Sequence, residues 1–151
     1  MDLDRLSRTL KVEEGTRRMA NGRHRLYMDT MGRYTIGFGR NLSDVGISDN
    51  EAAMLLANDI HAAIDQLTSA FPWFSSLDDV RQRVLADMAF NQGLGDSHAG
   101  LLSFHKMLTA VSVGDYDLAA DEMLDSQWAD EVKGRALVLA EMMRSGADPI
   151  S

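Results

Sequence analysis

A long apolar stripe in the first half of the chain sets the strongest limit on the fold. Apolar residues recur there at three- and four-residue intervals: Ala53, Leu56, Ile60, Ile64, Leu67 and Phe71. Ser48 and Glu51 have the spacing of a capping box, and Pro72 cannot continue a helix. These signals predict one helix of about 24 residues, roughly 36 Å long. Because such a helix is long for a small domain, we expect it to link two lobes.

Helical patterns also lie on either side of this stripe. Leu3, Leu6 and Leu10 predict a first helix that ends at Gly15. Further helices are predicted at about 77–91, 99–112, 115–125 and 134–145.

Residues 25–38 have a different period. Tyr34, Ile36 and Phe38 alternate with polar or small residues, which is typical of a strand, and Asp29 to Gly32 fit a turn. A hairpin is therefore predicted at 25–38. The fold class predicted is α+β and mostly helical, with a small N-terminal β-hairpin lobe joined by a long helix to a larger helical lobe.

The 151 residues predict a single domain over 1–151. Its β-containing lobe is expected at about 15–60, and its helical lobe at about 1–14 plus 61–151. The chain has no cysteine, which excludes thiol chemistry and suits a reducing compartment.

The net charge of −8 is unevenly distributed. Residues 1–40 contain nine basic and five acidic side chains, and the remaining residues contain six and eighteen. An acidic total disfavours nucleic acid as a partner. The basic N-terminal part can face an anionic polymer, or it can be an ordinary solvated surface.

The N-terminus begins with acids at positions 2 and 4 and no apolar run, which argues against a secretory signal. We therefore expect synthesis in the cytoplasm without a signal peptide, no stable membrane insertion and a monomer. No metal-binding motif is present, so no cofactor or metal is expected.

Two adjacent acids, Glu13 and Glu14, lie at the end of the first predicted helix. The partial negative charge of a helix C-terminus disfavours an ionised carboxylate, as a general acid requires. Both residues flank the leucine stripe, so either is expected to be partly desolvated. Periodicity does not choose between them, and two exposed acids at a frayed helix end are the more common interpretation of such a pair.

Asp29 and Thr35 have ordinary interpretations as well, because Asp commonly opens turns and Thr favours strands. Thr35 lies opposite Tyr34, Ile36 and Phe38 in the strand alternation. If those three residues pack inward, Thr35 faces outward into a cleft.

Together these residues form a recognisable string. Glu14-Gly15, followed by Tyr27-x-Asp29-Thr30-x-Gly32-x-x-Thr35-Ile36-Gly37-Phe38-Gly39, closely resembles the active-site region of phage-type lysozymes (endolysins, glycoside hydrolase family 24). Further matches follow in order at Val80–Gln82, Asp87–Gly93, Ala119–Ala120, Ser126–Trp128, Gly134–Ala136 and Met143–Gly146. The resemblance covers nearly the whole chain and implies a lysozyme-like fold.

The resemblance also implies a reaction: hydrolysis of the β-1,4 bond between N-acetylmuramic acid and N-acetylglucosamine in peptidoglycan. The family's general acid directly precedes a Gly, which selects Glu14. Its second carboxylate falls on Asp29 and its water-positioning Thr on Thr35. An inverting mechanism would place the two carboxyl groups roughly 6.5–9.5 Å apart.

Two supporting residues and a partner are implied in the same way. Arg135 matches an Arg that pairs with the acid, and Phe90 matches a position lining the sugar cleft, although an aromatic residue in mid-helix is more often core. Family members reach the cell wall through a separate pore-forming phage protein.

The chain departs from the family pattern at two places. Asp29 and Glu14 differ by 15 in number, about six residues more than the family commonly has, and the extra residues fall mainly in 16–24. We expect this insert to form a loop or extra turn that leaves the hairpin intact. Arg40 stands where the family usually has His, which affects a local ion pair.

Two alternatives to an enzyme remain. One is a catalytically impaired peptidoglycan-binding module on the same fold, whose site the insert has broken. The other is a helical interaction protein, which has only the long helix in its favour.

Overall fold

A computed structural model describes residues 1–15 and 17–149 of the chain. These residues form seven α-helices and three short strands, which confirms a mostly helical α+β fold. The helices are α1 (Leu3–Glu13), α2 (Asp49–Ala70), α3 (Asp79–Gln92), α4 (His105–Ser112), α5 (Tyr116–Leu124), α6 (Gln127–Val132) and α7 (Gly134–Ser145). Single 3₁₀ turns lie at Phe74–Ser76 and Leu101–Ser103.

The strands form one antiparallel sheet in the order β1 (Tyr27–Met28), β2 (Tyr34–Ile36) and β3 (Arg40–Asn41). The predicted hairpin is confirmed, and its turn is closed by the amide of Gly32, which donates to the carbonyl of Asp29 at 3.1 Å. Sequence reasoning missed β3, since a strand of two residues is too short to show alternation.

Backbone contacts divide the chain into two compact units, Met1–Met54 and Leu55–Ser151. The boundary falls inside α2, so this helix belongs to both units. The first unit contains α1 together with the sheet, whereas the sequence placed α1 in the helical lobe. The single domain and its lobe boundaries stay a prediction.

The second unit has a core rich in methionine. Five of the ten methionines are buried there: Met88, Met107, Met123, Met142 and Met143. Unbranched Met side chains fill irregular gaps between helices that meet at different angles. Of the apolar stripe predicted on α2, Leu67 alone is completely buried.

Arg81 on α3 connects three helices of this unit. It donates from Nε to the carbonyl of Met143 at 2.8 Å and from Nη2 to that of Arg144 at 2.9 Å, which satisfies carbonyls at the end of α7. Its guanidinium also lies 3.6 Å from the ring centroid of Tyr116. None of the helices in the described ranges is both long and apolar enough to span a bilayer.

Candidate active site

Glu14 lies where the sequence placed it, directly after α1. Its amide donates to the carbonyl of Leu10 at 2.9 Å, and Gly15 turns the chain away with a φ of +63°. Glu13 and Glu14 are both exposed, so the expected partial desolvation of this pair is wrong. The reason is that the flanking stripe is itself exposed: no residue of α1 is buried.

Gly39 distinguishes the two acids. A Cβ atom placed on Gly39 would lie 2.8 Å from Oε2 of Glu14 and 3.1 Å from its Cδ, so the carboxylate of Glu14 lies directly against the backbone between β2 and β3. Gly39 has a φ of +83°, which glycine adopts without strain. A side chain at position 39 would therefore be disfavoured twice, by the positive φ and by collision with the side chain of Glu14.

Asp29 is fixed by the hairpin turn that it opens. Its Oδ1 accepts hydrogen bonds from the amides of Met31 at 2.8 Å and Arg33 at 2.9 Å. No donor to Oδ2 is found among the described residues, and the side chain is half-buried. The turn thus orients the carboxylate through one oxygen and leaves the other available.

Thr35 lies at the centre of the sheet, opposite Tyr27 on β1 and Asn41 on β3. It is 4% exposed, whereas Tyr34 and Phe38 are 54% and 41% exposed. The condition under which Thr35 would face outward, with these aromatic residues packed inward, is therefore not met. Alternation correctly separated the two faces, but it could not tell which face would be covered.

The carbonyl of Arg33 connects Asp29 with Thr35. It accepts from the amide of Asp29 at 3.0 Å and from the hydroxyl of Thr35 at 3.2 Å. Since the Arg33 amide also donates to Asp29, one backbone residue holds both candidate side chains in a fixed relation. Sequence reasoning missed this role because main-chain groups leave no signal in the residue type.

The inserted segment leaves this arrangement intact. Thr16 lies outside the described residues, and 17–25 form a small antiparallel excursion closed by a bridge between Arg18 and His24. The ring of His24 meets that of Phe38 edge-to-face at 5.0 Å, so the excursion contacts the turn that precedes β3. The expected extra turn with an intact hairpin matches what the structure shows.

Arg40, which replaces the family's usual His, makes a local ion pair of its own. Its Nη2 lies 2.8 Å from Oε2 of Glu51, and its Nε donates to the carbonyl of Gly46 at 2.9 Å. The same Glu51 oxygen accepts from the amide and hydroxyl of Ser48, which confirms the predicted capping box. Hydrogen bonds from the Ser48 backbone and side chain, with Arg40 adding to them against burial, lower the pKa of Glu51.

Two further candidates lie in the second unit. Phe90 on α3 is 47% exposed, so it is not part of the core. Arg135 on α7 pairs with Asp87 on α3, with its Nη2 2.7 Å and its Nε 2.9 Å from Oδ1. This hydrogen bond raises the pKa of Arg135, which keeps its positive charge. The implied partnership of Arg135 with Glu14 stays a prediction.

Next to Arg135 the backbone is strained. Lys133, between α6 and α7, has a φ of +46° and is the one residue other than glycine with a positive φ in the described ranges. Such conformations cost of order 1–3 kcal/mol and concentrate at functional sites.

The second unit also carries an open groove of about 660 Å³ beside Trp128. Amide, hydroxyl and carboxylate groups line it, among them Gln92, Ser103 and Glu131. Across the ranges that the structure describes, no group of three or more His, Cys, Asp or Glu side chains could hold a metal ion.

Comparison with known proteins identifies the family to which this chain belongs. The family model described as phage lysozyme matches residues 17–144, so the chain belongs to the phage lysozyme family. The matched range includes Asp29, Thr35, Phe90 and Arg135 and begins after Glu14, whose assignment depends on the Glu-Gly motif and the contact with Gly39.

One curated relative is the pre-baseplate central spike protein Gp5 of Enterobacteria phage T4. It is 27% identical over 165 aligned positions, which cover 91% of this chain. The chain spans 28% of the length of that relative.

Proposed function

We propose that this protein is a peptidoglycan hydrolase that cleaves the β-1,4 bond between N-acetylmuramic acid and N-acetylglucosamine. The observation that supports this most is the contact of Glu14 with Gly39, in the unit that also holds Asp29 and Thr35 around one carbonyl. Three side chains that match the family's reacting groups thus belong to one compact unit.

In the proposed reaction, protonated Glu14 gives its proton to the glycosidic oxygen while the bond from that oxygen to the anomeric carbon breaks. A water molecule on the opposite face of the sugar donates one hydrogen bond to Oδ2 of Asp29. The hydroxyl of Thr35 already donates to Arg33, so its oxygen can accept the second hydrogen of that water. Asp29 takes the proton as the water attacks, and the anomeric configuration inverts.

Phe90 and Arg135 have supporting roles in this proposal. The exposed ring of Phe90 offers an apolar surface for a sugar ring. Arg135 keeps its charge through Asp87 and is available to orient the carboxyl group of the acid. The substrate is peptidoglycan, with no cofactor and no nucleic acid, and the protein acts as a monomer.

The family membership supports a proposal for the biological role. We propose release to the wall through a separate pore-forming protein, followed by bacterial lysis. Expression in bacteria with and without such a pore-forming protein tests this, because lysis should require the hydrolase and the pore-forming protein together. The likeness to a spike protein suggests a second role, local opening of the wall by a phage particle. This role would be favoured if the protein hydrolyses isolated walls but lyses bacteria neither with nor without the pore-forming protein.

Product analysis tests the reaction itself. Digestion of purified peptidoglycan should create new reducing ends on N-acetylmuramic acid, and NMR of the first product should show the α-anomer. Reducing ends on N-acetylglucosamine would reject the assigned bond, and an initial β-anomer would reject inversion. Binding to peptidoglycan without any new reducing ends would favour the impaired binding module instead.

A further inference from the structure

The segment of residues 17–25, called here the basic hairpin, has a defined backbone. The amide of Met19 donates to the carbonyl of Arg23 at 2.8 Å, and the amide of Arg25 donates to that of Arg17 at 2.7 Å. Arg18 and His24 lie opposite each other in an antiparallel bridge. The segment therefore presents its side chains in a fixed alternation.

This alternation gathers arginines on one face. With Arg18 opposite His24, the register places Arg17 opposite Arg25 and Met19 opposite Arg23. Residues two apart share a face of a β-ribbon. Arg17, Arg23 and Arg25 consequently share one face and are exposed, while His24 on the other face contacts Phe38.

The charge of this face is not neutralised within its own unit. Among the described residues of the first unit, no carboxylate lies within 4.0 Å of the hairpin arginines, although Arg33 pairs with Asp44 at 2.9 Å and Arg40 with Glu51 at 2.8 Å. Like charges directly opposite each other destabilise a β-ribbon. The arrangement thus costs stability, which an external anion would restore.

We propose that this face binds phosphate groups of lipopolysaccharide, the phosphorylated glycolipid of the Gram-negative envelope. Guanidinium groups match phosphate oxygens in a planar, two-pronged geometry. A net charge of −8 rules out a general attraction to polyanions, so binding must be local to the hairpin. The choice of an envelope partner rests on the proposed function, and the relative from an enterobacterial phage favours a Gram-negative one.

Binding to purified lipopolysaccharide tests the proposal with the double variant Arg23→Gln/Arg25→Gln. Neither side chain makes a hydrogen bond in the described part of the chain, so the hairpin should remain folded. Electrostatic attraction to an anionic lipid surface is worth about fivefold in affinity per basic residue. The variant should therefore bind about 10- to 30-fold more weakly at low salt, with a smaller difference at high salt.

The matched control is Arg5→Gln/Arg8→Gln on α1, which removes the same charge outside the hairpin. The affinity of this control for lipopolysaccharide should be within about threefold of that of the wild type. Lipopolysaccharide stripped of phosphate should bind weakly to the wild type and to the control alike. Three results would overturn the proposal. The two variants could lose the same affinity for lipopolysaccharide, or the wild type could bind the phosphate-free glycolipid as tightly as the intact one. The wild type could also bind duplex DNA as tightly as lipopolysaccharide.

The outcome is separable from that of the proposed function. Isolated peptidoglycan carries no lipopolysaccharide, so Arg23→Gln/Arg25→Gln should hydrolyse it at the wild-type rate. Loss of glycolipid binding with full hydrolysis supports the hairpin as a separate surface. A protein that binds lipopolysaccharide through the hairpin yet releases no reducing ends would reject the hydrolase and leave the binding face in place.

Discussion

Substitution of Gly39 by Ala should impair the reaction far more than it destabilises the fold. The added Cβ would lie 2.8 Å from Oε2 of Glu14, and an ordinary contact begins at about 3.4 Å, so the carboxylate must move by roughly 0.6 Å or more. Glu14 is exposed, and the end of its side chain can move at little energetic cost. A misplacement approaching 1 Å in a catalytic group costs up to about 100-fold in rate.

Gly37 provides the matched control, because it lies in the same turn with a φ of +67° and a Cβ atom placed on it would meet no described atom within 4 Å. Both alanine variants force a non-glycine residue to a positive φ, at about 1–2 kcal/mol each. Denaturant unfolding should therefore show similar losses for both. Only Gly39→Ala carries the additional contact with Glu14.

Initial rates on purified peptidoglycan, measured as release of reducing ends, distinguish the two variants. Gly39→Ala should lose about 10- to 100-fold in kcat, and Gly37→Ala should remain within about threefold of the wild type. Equal kcat values in the two variants would refute the idea that Gly39 sets the position of the acid.

Three predictions concern stability. Arg81→Met removes hydrogen bonds to two carbonyls, the ion pair with Asp78 and the stacking on Tyr116 from a side chain that is 12% exposed. It should lower the free energy of unfolding by about 3–5 kcal/mol in a denaturant titration. Lys133→Gly relieves the strain of a positive φ and should raise the free energy of unfolding by about 1 kcal/mol. Because the folded pKa of Glu51 is lowered, its contribution is complete above the unfolded value of 4.5 and is lost as the pH falls through the folded pKa. Glu51→Gln should therefore flatten the acid side of the stability profile.

Each of these has a variant or an outcome that contradicts it. Arg144→Gln breaks exposed ion pairs, which contribute little to stability, so a loss equal to that of Arg81→Met would show that Arg81 has no special role. Lys133→Ala keeps the strain while removing the charge, and stabilisation by that variant would assign the effect to charge. An unchanged acid profile in Glu51→Gln would mean that the capping box contributes nothing.

Local signals in the sequence predicted the local parts of this fold. The turn from Asp29 to Gly32, the capping box of Ser48 with Glu51 and the end of the last helix at Gly146 all depend on residues a few positions apart. Helix α6 was missed because six residues give too few repeats to show a period. The predicted helix at 99–112 is a 3₁₀ turn and α4, interrupted at Phe104.

The candidate site was predictable as a set of residue types and less so as a geometry. Family resemblance chose Glu14 over Glu13, and the contact with Gly39 now supports that choice. The covered face of β2 depends on packing that no alternation reveals, so the orientation of Thr35 could be predicted only as a condition, and the condition is not met. The partner of Arg135 lies 48 residues away on another helix, beyond any local signal.

In the proposed reaction Glu14, and not its neighbour Glu13, is the general acid. Glu14→Gln and Glu13→Gln remove the same charge from adjacent exposed positions at the end of α1. General acid catalysis contributes about 100- to 10,000-fold. Release of reducing ends from purified peptidoglycan should fall by that factor in Glu14→Gln and stay near the wild-type rate in Glu13→Gln. Wild-type activity in Glu14→Gln would show that Glu14 does not protonate the glycosidic oxygen.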